Sequence, residues 1–183
     1  MRQNNIAKKI ILGLWYGTLI AGLIFLKLFL TNLLPGVFTY IDILMLFFVI
    51  VIMRGARGKI VWFAFSIYMI LDILASQPFG IQLCAGVFSV LGVFWFFEEI
   101  FTNLSIWTAG ILTVFGMTVY KLLYISGTTL ASILAQEESS IISTSLIQRF
   151  GIEILTTALI SIPLYAILLK VGNMVTKERI RYS

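Results

Sequence analysis

Five ionisable side chains stand inside, or at the ends of, long apolar runs: Lys27, Asp42, Asp72, Lys121 and Glu153. Side chains of these types do chemistry in two ways. Paired carboxylates in a wet cleft exchange protons, and opposite charges drawn together away from water lock helices or hold a ligand. An ionisable group at membrane depth is costly, so it usually has a partner or a purpose. Asp72 is the sharpest case, because it lies in the apolar stretch IVWFAFSIYMILDILASQPFGIQLCAGV between Ile60 and Val87. That stretch reads as a membrane helix with an acid near its far end, a tight SQPFG turn, and the start of a second membrane helix.

Other chemistry is scarce. The chain has no His and a single Cys, Cys84. That excludes a zinc site, a His-assisted Ser or Cys nucleophile and a disulfide. No Gly-rich phosphate loop is visible, and no cofactor or metal is expected. Catalysis would rest on Asp42, Asp72 and Glu153, the only acids at a suitable depth, so the expectation is that the protein is not an enzyme.

Composition sets the class. Of 183 residues, 60% are hydrophobic and only 11% charged, with a mean hydropathy of +1.05. These values lie far from those of a soluble domain and imply an integral membrane protein, all-α and a single domain over residues 1–183. The net charge of +5 does not point to nucleic acid, because the basic residues sit at helix ends and mark orientation.

Apolar windows predict six transmembrane helices forming a polytopic bundle. They run at about 10–34, 37–53, 60–76, 79–97, 104–125 and 150–171, for a hydrocarbon core of roughly 30 Å. The N-terminal stretch has the charged and apolar regions of a signal peptide but no small-x-small cleavage site, so it is expected to stay as the first span. With both termini cytoplasmic, the inner side collects Arg2, Lys8, Lys9, Arg54, Arg57, Lys59, Lys170, Lys177, Arg179 and Arg181. The outer side has Arg149, which satisfies the positive-inside rule.

Counting from the helix ends at about 1.5 Å per residue brings Lys27, Asp42, Asp72, Lys121 and Glu153 to one level in the outer half. Gln77 and Gln82 flank them. The favoured pairing joins Asp72 to Lys121 or Lys27. Against that reading, Lys27 can snorkel outward, and Asp42 and Glu153 can serve as helix-start acids. On the fifth span, Gly110, Thr113, Met117, Lys121 and Tyr124 share a stripe that should face the bundle interior.

Two further features concern surfaces. Gly13, Gly17 and Ala21 form a small-residue ridge on the first helix, suited either to internal packing or to a partner helix. Residues 126–149 are polar with interspersed Leu and Ile, and are expected as one or two amphipathic pieces lying at the outer interface.

The run YIDILMLFFVIVIM, a short basic loop, and MILDILASQPFGIQL together resemble the rod-shape-determining membrane protein MreD family. The family element is an Asp leading a leucine-rich second span, then a helix ending in L-x-D-x-L, a turn with a Gly, and a following Leu. Asp42, Asp72, Gly80 and Leu83 are the matching positions, within a resemblance that covers about residues 36–172. Its size, six-span layout and a last span with a Pro, here Pro163, also match. The chain departs from the family pattern at Ser66 and Tyr68, where Gly is frequent, and at Ile41, where Pro or Arg is usual.

The resemblance implies a non-enzymatic inner-membrane component of the bacterial elongation machinery that organises peptidoglycan synthesis. Its implied partners are the single-span protein MreC and, directly or indirectly, RodA, a class B penicillin-binding protein and the MreB filament, with the bilayer around it and no nucleic acid. The alternative is the substrate-binding S component of an energy-coupling-factor vitamin transporter, whose fold such a six-span bundle resembles. In that case the outer cluster would line a vitamin pocket.

Overall fold

The computed structural model describes residues 2–33, 39–55, 59–75, 77–100, 105–135 and 144–181. These form six helices and, among the described residues, no strands: α1 (Arg2–Leu33), α2 (Ile43–Met53), α3 (Lys59–Leu74), α4 (Ile81–Ile100), α5 (Ile106–Leu134) and α6 (Thr144–Arg181). Among the described residues, three helical segments are long and apolar enough to cross a bilayer: α4, α5 and Gln148–Lys170 of α6. The protein is therefore a membrane protein. The apolar parts of α1 (Trp15–Leu30) and α2 are shorter, and α3 has 16 residues.

The bundle is built around its shortest helix. Among the described residues only α2 touches all five others, whereas α1 meets α2 and α3 alone. Its 11 residues are apolar on every side, and Leu44, Met45, Leu46, Phe48, Val49, Ile52 and Met53 are buried. A helix that is hydrophobic all round belongs inside. Around it α3, α4, α5 and α6 pack as sequential neighbours. Gly116 lets α5 close on this centre, since a Cβ there would sit 2.6 Å from Val93 Cγ2 and 2.8 Å from Met45 Sδ.

The second span was expected at about 37–53, yet α2 begins only at Ile43. Thr39 and Tyr40 form a 3₁₀-type turn, and Asp42 is extended, with φ −88° and ψ 91°. Non-helical backbone inside the bundle is tolerated because other protein groups satisfy it. The hydroxyls of Thr156 and Thr157 on α6 reach the Tyr40 carbonyl at 3.1 and 3.2 Å.

A second difference concerns residues 126–149, expected as interfacial pieces. Residues 126–134 instead continue α5 without a break, and α6 has begun by Thr144. Residues 136–143 lie outside the described residues. The reason for the extension is local. Ser126, Thr128, Thr129 and Ser132 each return their hydroxyl to a carbonyl three or four residues earlier, so polar side chains that look like loop signals are satisfied within the helix.

All four tryptophans are strongly exposed on the bundle's outside, Trp62 at 75%. The small-residue ridge also faces out. Gly13, Gly17 and Ala21 are exposed, and a Cβ added at either glycine would meet nothing within 4 Å.

Candidate functional site: a polar layer between the helices

Asp72 is 3% exposed and makes no ion pair among the described residues. The expected pairing with Lys121 or Lys27 is therefore corrected. Its Oδ2 accepts the Gly80 N–H at 2.5 Å, and its Oδ1 accepts the N–H groups of Gln82 at 2.9 Å and Leu83 at 3.2 Å. Asp72, from the last turn of α3, thus caps the first turn of α4. The physical reason is proximity and charge. Helix starts leave N–H donors without intrahelical partners and carry partial positive charge, so a carboxylate held there by a short turn needs no lysine. Gly80 makes that turn possible with φ +102°, which L side chains rarely adopt.

Asp42 does the same for α2. Its Oδ1 accepts the Leu44 N–H at 3.1 Å and the Met45 N–H at 3.4 Å, which makes it the N-cap. Lys27 of α1 adds its ammonium at 3.7 Å from the same oxygen. The Asp42 N–H in turn donates to the Thr157 hydroxyl at 3.1 Å. Through these bonds α1 and α6 are both fastened to the entry of α2.

Lys121 of α5 finds Glu153 of α6, with Nζ–Oε2 at 2.7 Å. Both side chains are largely but not wholly buried, at 13% and 21% exposure. The ammonium also lies 4.5 Å from the centre of the Phe150 ring and 5.7 Å from that of Tyr120. This is a short, charge-assisted contact with aromatic support on two sides.

The five ionisable residues thus make two ion pairs, Lys27–Asp42 and Lys121–Glu153, and two backbone caps, by Asp42 on α2 and by Asp72 on α4. Between them runs a row of aromatic rings, Phe48, Tyr68, Tyr120 and Tyr124, with successive centroids 5.9, 6.0 and 6.0 Å apart. The Gln82 side chain comes within reach of the Tyr120 hydroxyl, while Gln77 is exposed. On α5, Gly110, Thr113 and Met117 are buried, and Lys121 and Tyr124 are partly so.

Thr156, Thr157, Tyr68 and Tyr120 belong to this layer and carry no conspicuous signal in the sequence. The one hint is Tyr68, where the resembled family often has Gly. Here Gly86 of α4 makes the room, because any Cβ at Gly86 would overlap the Tyr68 ring.

Each carboxylate of the layer already accepts from a backbone donor or a lysine, an arrangement that positions helices. Among the described residues no group of three or more His, Cys, Asp and Glu is gathered as a metal site. A separate groove of about 580 Å³ opens between α4, α5 and α6. It is lined almost wholly by apolar side chains, including Phe96, Trp107, Val114 and Leu159.

With that geometry in place, comparison with known proteins adds nothing. No family model matches the sequence, and no curated protein or solved structure matches it.

Proposed function

We propose that the protein is a non-enzymatic inner-membrane component of the bacterial elongation machinery, of the MreD type, that binds an MreC-like single-span protein. The observation that carries this reading is the α3–α4 turn. Asp72, Gly80 and Leu83, three of the four positions on which the resemblance rests, are joined directly, since the Asp72 carboxylate accepts from both other residues. The fourth, Asp42, caps the central helix. The residues that carry the resemblance thus act as architecture, as suits a protein that works by presenting a shaped surface.

On this reading all six helices cross the inner membrane, and both termini are cytoplasmic. The length of α2, about 16 Å at 1.5 Å per residue, is accommodated because its lead-in is bonded to α6 inside the bundle. The ridge of Gly13, Gly17 and Ala21 is the surface offered to a partner helix, since small residues let two helix backbones approach closely. RodA, the class B penicillin-binding protein and MreB associate directly or through the MreC-like partner.

The test is a gentle detergent pull-down of the tagged full chain from its native host, read by mass spectrometry. Enrichment of an MreC-like protein and cell-wall synthases is expected. Recovery of paired ABC ATPases with a membrane coupling subunit would overturn the proposal in favour of a vitamin-binding component.

A further inference from the structure

Tyr68 is the largest of the fully buried side chains, with 0% exposure. Its ring is held by Phe48 at 5.9 Å, Tyr120 at 6.0 Å and the backbone face of Gly86. Its hydroxyl is the only buried side-chain polar atom among the described residues without a hydrogen-bond partner. Such atoms are rare, because an unpaired buried hydroxyl gives up its hydration for nothing.

The surroundings select what can fill the gap. The Asp42 carboxylate is the charged group that acts on the Tyr68 hydroxyl, and the neutral Tyr120 ring lies 6.0 Å from the Tyr68 ring. An anion would be repelled by Asp42. A cation would compete with Lys27, already 3.7 Å from the Asp42 carboxylate. What remains is a neutral group that accepts from Tyr68 and donates toward Asp42. The close ring packing on Tyr68 keeps that group small.

We propose that a water molecule is bound at the Tyr68 hydroxyl, inside the bundle, and bridges it toward Asp42 and Tyr120. Buried waters of this type typically make about three hydrogen bonds and are as much a part of the fold as side chains. The water ties α3 to the entry of α2 and to α5. This inference is independent of the proposed partner.

X-ray radiolytic hydroxyl-radical labelling of the full chain in detergent, read residue by residue by mass spectrometry, tests it, because the radiation splits a bound water in place and the hydroxyl radical so formed attacks the ring beside it. Tyr68 should label at least about tenfold faster than Phe48, which is equally buried, and approach Tyr16, which is 43% exposed. In Tyr68→Phe, labelling at position 68 should fall several-fold with Tyr16 unchanged. A wild-type Tyr68 as protected as Phe48 overturns the proposal, and so does labelling that survives Tyr68→Phe undiminished. A cryo-electron microscopy map of the wild-type chain that resolves waters gives a second reading. Density at about 2.8 Å from the hydroxyl supports the site, and an empty position or a larger molecule overturns it.

Discussion

The Asp72 carboxylate and the Gly80 N–H, eight residues apart and 2.5 Å from each other, close the turn between α3 and α4. Removing the acceptor leaves three N–H groups at the start of α4, on the half-buried residues Gly80, Gln82 and Leu83, without their partner. Asp72→Ala is expected to destabilise the fold by about 2–3 kcal/mol, as for the loss of a buried cap. Asp72→Asn, which keeps an acceptor oxygen, should fall between the two. Thermal unfolding in detergent, followed by tryptophan fluorescence, measures both. An Asp72→Ala variant that melts with the wild type would mean that the turn is held by something else.

Gly80 bears on the same turn from the backbone side. Its φ of +102° is strained for any residue with a Cβ, although open space surrounds it. Gly80→Ala should therefore cost about 1–3 kcal/mol through conformation alone. Gly17→Ala, where φ is helical and a Cβ also meets nothing, should be neutral or slightly stabilising. Equal melting temperatures for the two variants would contradict the backbone argument.

Lys121 and Glu153 offer a double-mutant cycle. Each single change, Lys121→Met or Glu153→Leu, strands a charge away from bulk water, whereas the double change strands none. The two single losses should add up to more than the loss in the double variant, with a coupling of about 1–3 kcal/mol. Coupling near zero would show that the contact is as well solvated as a surface pair.

These expectations rest on contacts of unequal legibility. Helix number and order were readable, because apolar runs separated by Pro, Gly and charge leave a plain trace. Asp42 was readable as a helix-start acid, since its position before an apolar run is itself the signal. The partner of Asp72 was not, because backbone N–H groups have no residue type and a search for charges finds only lysines. The length of α5 was hidden by Ser and Thr, which resemble loop residues until their hydroxyls turn back onto the helix. Tyr68 was hidden for a third reason. Its burial depends on Gly86 from another helix, and a contact between helices leaves no spacing to detect.

Gly86 can be tested through that dependence. A Cβ at Gly86 would overlap the Tyr68 ring, so Gly86→Ala forces α3 and α4 apart or the ring out of place. A loss of about 1–3 kcal/mol is expected, in the range for an overpacked core. With Tyr68→Ala present, adding Gly86→Ala should cost far less, because the obstruction is gone. If the two losses simply add, the close approach of ring and backbone is not what limits the packing.

The last prediction separates fold from partner. Gly13, Gly17 and Ala21 face outward, and a Cβ placed at Gly17 meets nothing within 4 Å among the described residues. Gly17→Leu should leave the melting temperature of the purified protein unchanged while reducing recovery of an MreC-like partner in the pull-down at least about tenfold. The reason is geometric: a leucine holds an incoming helix away from the backbone that small residues leave accessible. If Gly17→Leu keeps its full complement of partners, the ridge is not the docking surface. If the purified variant melts earlier, the ridge packs within the bundle, contrary to its open exposure.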